Sequence, residues 1–274
     1  MDLRQRALEL LLVDDPASKA QGTRALYRSS VDRQAVPLDT EAVLQCKRAL
    51  PGRPLRPRLV EPKSVPTRSV HTLAGRAGLL HAVAHIEFNA INLALDAVWR
   101  FAGMPEDFYR DWLRVAAEEA HHFGLLNEHL GRLGHTYGDF DAHDGLWQMC
   151  ERTRDDVVAR MALVPRVLEA RGLDATPPMQ DKLRRAGDVQ AVAILDIILR
   201  DEVGHVAIGN RWFHWLCAQR GLAPIPHEQA LRQRYAPPPL RPPLNVAARR
   251  AAGFSEAELD LLLGSIPRAP GAEP

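Results

Sequence analysis

Between residues 70 and 220 the apolar positions recur at helical spacing, and runs that alternate as a strand would are nearly absent. The spacing predicts four long helices, at about 71–102, 105–133, 145–171 and 188–219. The first carries the stripe Leu80, Val83, Ala84, Ala90, Ile91, Ala94 and Val98. The second carries Trp112, Val115, Ala116, Phe123, Leu126, Leu130 and Leu133, and the fourth Leu195, Ile198, Leu199, Val206, Gly209, Trp212 and Leu216. Gly103 ends the first helix, Pro105 suits the first turn of the second, and Asp188 is placed to cap the fourth. A short helix at about 178–186 is expected to interrupt the connection between the third and fourth. The Gly- and Asp-rich stretch 134–144 is long enough to cross the end of a bundle.

The flanks have a different texture. Residues 1–35 look helical and amphipathic, and 50–67 carry Pro51, Pro54, Pro57, Pro62 and Pro66, which predicts an extended wrap. Residues 221–248 are again proline-rich, Ser255 to Glu258 reads as a capping box opening a last short helix, and the tail after Ser265 is expected to be disordered. The expected organisation is all-α: an N-terminal extension (1–69), a four-helix bundle (70–220) and a C-terminal wrap (221–274).

Charged groups interrupt the apolar stripes at matching places. Helix two offers two overlapping Glu-x-x-His pairs. Glu119 and His122 fall inside the stripe, whereas Glu118 and His121 lie with Asp111, Arg114, Glu128 and Arg132 on the wet face. Glu202 and His205 interrupt helix four in the same way, and Glu87 interrupts helix one beside a more polar edge of His81, His85, Asn92 and Asp96. Each Glu-x-x-His pair has a glutamate, Glu87 or Glu169, about 33 residues upstream, the arrangement by which a four-helix bundle holds two metal ions. A carboxylate among apolar side chains costs several kcal/mol unless it is paired or protonated, so several at one depth call for a shared cation. Glu87 and Glu119 are equidistant from Gly103, which sets both roughly 24 Å from the turn at 1.5 Å per residue. Four carboxylates and two neutral imidazoles balance two divalent cations, and mixed oxygen and nitrogen donors suit iron or manganese, with zinc or cobalt not excluded by affinity. The helix-three ligand is Glu169 or, nearer the middle of that helix, Asp155 or Asp156; Glu169 stands close to Gly172 and just after Pro165.

Composition narrows the remainder. Lys+Arg 35 against Asp+Glu 34 gives a net charge of +1, so no global field draws the protein to nucleic acid or membrane. Arg241, Arg249 and Arg250 could form a local basic patch, although a solvated face is the plainer reading. Cys46, Cys150 and Cys217 suggest no disulfide framework and favour a reducing compartment; Cys150 and Cys217 read as core fillers, and the five tryptophans as packing. The N-terminus resembles neither a signal peptide nor a membrane span, which places the chain in the cytoplasm. Asp196 and Asp201 could orient a ligand histidine or pair with nearby arginines.

Several stretches resemble the bacterial DUF455 family within the ferritin-like di-metal carboxylate superfamily. They are Ala84–Glu87, Glu118–Phe123, His143–Trp147, Pro165–Asp174, Leu199–Val206, Leu240–Asn245 and Arg249–Phe254. The resemblance implies a ferritin-like bundle with Glu87, Glu119, His122, Glu169, Glu202 and His205 as metal ligands. Asn92 stands where related sequences carry an acid, which bears on charge around the ligands. The resemblance supplies no reaction. The superfamily's hydroxylases, desaturases, peroxidases and ferroxidases make a di-iron oxidoreductase using dioxygen or peroxide the leading expectation. Its substrate would be a small molecule or a modified nucleoside, as in a tRNA-hydroxylase-like enzyme, and a homodimer is an open expectation. The alternatives are metal handling without an organic substrate, and a bundle with a vestigial site.

Overall fold

Helices begin where the sequence offers a side-chain acceptor. The computed structural model describes residues 2–31 and 36–265; the ends of the predicted first helix (32–35) and the tail after Ser265 lie outside the described residues. Asp2 caps α1 (Leu3–Leu11), Asp15 caps α2 (Pro16–Ser30), and Thr72 caps α3 (Leu73–Arg100). Gly103, at a φ of 74°, turns the chain into α4 (Glu106–Arg132), with Pro105 at the cap rather than inside the first turn. After α5 (Gly145–Arg152) and α6 (Val157–Leu163) come a π-helical turn (Val164–Glu169), α7 (Ala170–Arg185), α8 (Val189–Gln219), α9 (Pro224–Tyr235), α10 (Val246–Ala251) and α11 (Glu256–Gly264). The chain is all-α: among the described residues the β-type pairing is an isolated parallel bridge between Leu59 and Ala142. Two units divide it, residues 1–154 with 182–197 and residues 155–181 with 198–274.

In the first unit α3 and α4 form a helical hairpin, with α2 laid on α4, and α1 and α5 on α3. Two buried cations tie the N-terminal helices down. Arg4 donates to the Val98 and Trp99 carbonyls in the last turn of α3, and to those of Asp39, Thr40 and Ala42. It thereby satisfies carbonyls that a helix end leaves open. Lys19 donates to the carbonyls of Leu11 and Gly52 and, at 2.6 Å, to Asn92 Oδ1. Gly52 has no room for a side chain: a Cβ there would sit 2.3 Å from the Leu12 carbonyl oxygen. The proline-rich stretch is extended as expected, and the ion pairs Arg53–Asp144 (2.7 Å) and Arg58–Asp141 hold it to the loop after α4.

This wrapping corrects the reading of α3. His81, His85, Asn92 and Asp96 were expected at a polar edge off the core stripe, yet all four are buried. His81, His85 and Asn92 find partners in α2 and loop 134–144, and Asp96 finds its own on α3 and α5. Gly138 N donates to His81 Nε2, Tyr137 hydroxyl lies 2.8 Å from His85 Nδ1, Lys19 reaches Asn92, and Arg100 and Trp99 donate to Asp96.

In the second unit the expected third helix is corrected. It is broken at residues 153–156, where Asp156 accepts from the Val158 and Ala159 amides to start α6. Pro165, lacking an N–H, cannot continue the α-ladder, and the helix widens into the π-turn. The separate helix expected at 178–186 is absorbed into α7 despite Pro177 and Pro178. Pro177 leaves the Leu173 carbonyl without its usual i+4 donor, and Asn245 Nδ2 supplies one at 3.2 Å. Asn245 also caps α10 and donates its backbone N–H to Asp174, while buried Arg249 pairs with Asp174 at 2.6 Å. Neither the basic patch nor the plainer solvated face holds for Arg249, which is buried, and Arg250 is paired with Glu256. The capping box Ser255–Glu258 is present, and Phe254, Leu259 and Leu262 pack with Ala170, Leu173 and Val206.

Burial, reinforced by the nearby positive charge of Arg53, lowers the Lys19 amine from its ordinary 10.5 to about 7. The folded chain therefore holds this proton less tightly than the unfolded chain. Its contribution to stability rises as pH climbs from about 7 toward 10.5. Urea unfolding across the neutral-to-alkaline range is expected to show that slope, and Lys19→Met to flatten it. Lys19→Met is also expected to destabilise the protein by about 1–3 kcal/mol or more, because buried acceptors lose their donor.

Candidate metal centre

The α3–α4 hairpin brings Glu87, Glu119 and His122 together. His122 Nδ1 lies 3.1 Å from Glu87 Oε2 and 3.4 Å from Glu119 Oε2. Each residue offers a ligand atom within 4.8 Å of the others. Glu87, Glu119 and His122 are 3%, 1% and 0% exposed, against the half-exposed Glu118 and His121, so periodicity selected the inward pair. The equal depth of Glu87 and Glu119 is also realised, because both reach the same imidazole nitrogen.

Two carboxylates at one buried point are an electrostatic problem. Burial drives the Glu87 carboxyl well above the usual range, the charge of Glu119 pushes it further, and the hydrogen bond from His122 opposes both. Such a pair retains a proton or takes a cation. On the same hairpin Phe88 packs on Phe123 at 5.4 Å between ring centroids, and Tyr137 caps both rings at 5.5 and 5.1 Å. Tyr137 comes from the loop expected to cross the bundle end. Burial holds its phenol protonated and pushes its neighbour His85 down to about 3, so that histidine is neutral.

In the second unit, α8 repeats the Glu-x-x-His spacing: Glu202 Oε1 lies 3.6 Å from His205 Nδ1, and both residues are buried. Glu169, half-buried, is the last residue of the π-turn. That turn is fixed to α8 by close approach and by charge. A Cβ on Gly209 would come within 2.4 Å of Pro165 Cβ, so only glycine admits the ring. Arg166, fully buried, donates to Asn210 Oδ1 and pairs at 2.6 Å with both Glu228 and Glu258. Burial raises the Glu258 carboxyl, but the hydrogen bond from His214 and the Arg166 guanidinium hold it well below the ordinary range.

Of the alternatives on helix three, Asp156 is engaged as the cap of α6, and Asp155 lies in the break before it. Asp201 pairs with Arg200, and Asp196 is exposed. Cys46, Cys150 and Cys217 are unpaired thiols, the last two buried as core fillers. Sequence reasoning missed Arg166, Lys19 and Tyr137. The available signals were a charged residue beside a helix-breaking proline, the lone lysine of an arginine-rich chain's second helix, and an aromatic in a Gly-Asp loop.

Residues 12–260 match the model of a family described as "Protein of unknown function (DUF455)". The chain is 47% identical over 264 residues to an uncharacterized protein of Haemophilus influenzae strain Rd, a match covering 93% of this chain and 92% of that one. No solved structure matches.

Replacing Glu87 by glutamine removes the charge problem and keeps the shape. Metal-free Glu87→Gln is expected to be as stable as the metal-free parent, or more stable by about 1–3 kcal/mol. It is also expected to lose most of the rise in Tm that Mn(II) gives the parent, as read by thermal unfolding with and without the ion.

Proposed function

Since the chain belongs to the DUF455 family, and since its interior gathers two carboxylates on one imidazole, we propose that it is a dinuclear metal-carboxylate protein of ferritin-like type. We take it to be an oxidoreductase that uses dioxygen or peroxide. The observation that carries the reading is the trio Glu87, Glu119 and His122: like charges buried together, with a nitrogen donor between them. In this reading Glu202, buried on α8, is the next donor of the set, as its Glu-x-x-His spacing requires. His205 and Glu169 complete it, giving four carboxylates and two imidazoles for two divalent cations. The donor chemistry fits the group: hard oxygens dominate, and the borderline imidazoles suit Fe(II) or Mn(II).

The chemistry supplied by a bound pair of iron ions is joint reduction of dioxygen or peroxide. The protein's own residues do the remainder. Glu87 and Glu119 supply negative charge, opposed at Glu87 by the hydrogen bond from His122. His122 is held in orientation by both carboxylates. Burial of Glu87, Glu119 and His122 keeps water away, which strengthens electrostatic interactions within. We place the activity in the cytoplasm, in keeping with three unpaired cysteines. Among the described residues, no helix is long and apolar enough to cross a membrane.

The test is elemental analysis of protein purified under low oxygen, followed by anaerobic loading with Fe(II) and exposure to air. About two metal ions per chain and metal-dependent oxygen uptake are expected, with both lost in Glu119→Ala and His122→Ala. Protein that retains no metal and gains no thermal stability from Fe(II) or Mn(II) would select the vestigial reading. Metal uptake by a very large hollow assembly, seen by native mass, would select storage instead.

A further inference from the structure

Away from the metal residues, α2 and α4 leave an open groove of about 370 Å³ on the first unit. Its lining repeats at i, i+3, i+4 and i+7 on both helices: Ala17, Ala20, Gln21 and Arg24 on α2, and Ala120, Phe123, Gly124 and Asn127 on α4. Arg28 extends the α2 row by another turn. Small residues at the floor explain the groove, because two rows of alanine and glycine cannot fill the space between helix axes. A Cβ on Gly124 would meet nothing within 4 Å. At 100° per residue, this face of α4 lies about a third of a turn from the direction of Glu119 and His122.

The charge at this groove is one-sided. Arg24 and Arg28 stand one turn apart, and neither has an ion pair or hydrogen bond among the described residues. No carboxylate lines the groove, and α2 contains no acidic residue. On α4 the acids next to the lining are Glu119, buried and turned to His122, and Glu128, paired with Arg132. Arg53, Arg58, Arg100, Arg110 and Arg250 each meet a carboxylate, whereas Arg24 and Arg28 lie side by side on one groove without one.

We propose that this groove binds a small organic phosphate monoester, its phosphate held between Arg24 and Arg28 and its body lying over Ala120 and Gly124 against Phe123. Guanidiniums one turn apart have β-carbons about 6 Å from each other and can each donate to a dianionic phosphate. The volume falls within the range of small-molecule sites, about 300–1,000 Å³. A second copy of the chain is disfavoured, because a two-fold contact here would set each arginine pair against its own image. A long nucleic-acid footprint has no support in a chain of net charge +1. The proposal rests on the groove alone and is independent of whether metal is bound.

The test is calorimetric titration of the full chain with adenosine 5′-monophosphate and glucose 6-phosphate, alongside inorganic phosphate and the two unphosphorylated parents. Saturable binding of at least one ester is expected, weaker for inorganic phosphate and lost for the parents. Arg24→Gln/Arg28→Gln should weaken it by about tenfold or more, since each charge-assisted contact is lost. Gly124→Leu, whose Cβ meets nothing within 4 Å and whose longer side chain extends into the groove, should abolish binding while Tm stays equal or rises, separating loss of the site from loss of the fold. No saturable binding of either ester, or binding unchanged in the double variant, overturns the proposal. So does affinity for anionic-lipid vesicles without affinity for the soluble esters. Equal affinity for inorganic phosphate overturns the seating of the ester's body.

Discussion

Two carboxylates and an imidazole share one dry point in the interior, and much of the first unit is arranged around that fact. Glu87 and Glu119 enter from different helices, so neither could be relieved by a local rearrangement of its own backbone. The relation is set by a turn: Gly103 adopts a conformation that other residues resist, and this fixes the level at which the two helices present their side chains. Glu87 and Glu119 are themselves almost fully buried, so little water reaches them to screen the charge. A chain that places like charges so deep is either poorly built or built for a counter-ion, and the partners found for buried Arg4, Lys19 and Arg249 argue against the first.

That care is visible in the extensions. Arg4 answers five carbonyls, Lys19 answers three oxygens, and Asn245 answers the carbonyl orphaned by Pro177. None of these residues touches the proposed ligands. Each converts a stretch of chain that looks like loose wrapping into a brace on a long helix. In the second unit the same logic holds the π-turn: Arg166 binds Asn210 of α8, Glu228 of α9 and Glu258 of α11, so the C-terminal helices bear on the segment that ends in Glu169. Sites of this kind need ligands held within fractions of an ångström, and the braces sit on the elements that carry them.

The helices and the inward faces of α4 and α8 were legible because burial imposes a period that a single sequence records. Choosing Glu119 and His122 over Glu118 and His121 needed only that period. The buried polar edge of α3 was not legible: His81, His85 and Asn92 read as a polar edge because their partners come from loops and from α2, which periodicity cannot place, and Asp96 is buried although Trp99 and Arg100 of its own helix partner it. The break before α6 and the run of α7 through Pro177 and Pro178 were missed for a related reason. Local rules forbid what a distant donor, Asn245, permits. Pro165 was rightly read as a disturbance, but whether a proline ends a helix or widens it depends on what packs against it, here Gly209 and Arg166's partners.

The meeting of Pro165 with Gly209 also constrains how this lineage can change. A ring on one strand of the contact and a bare α-carbon on the other are inherited as a couple, since any methyl at position 209 overlaps the ring while the ring remains. Substitution must therefore proceed in one order, the ring lost first and the bare carbon filled afterwards. A descendant that reversed those steps would pass through a form unable to seat the π-turn, so drift at either place should be slower than the exposure of its neighbours would suggest.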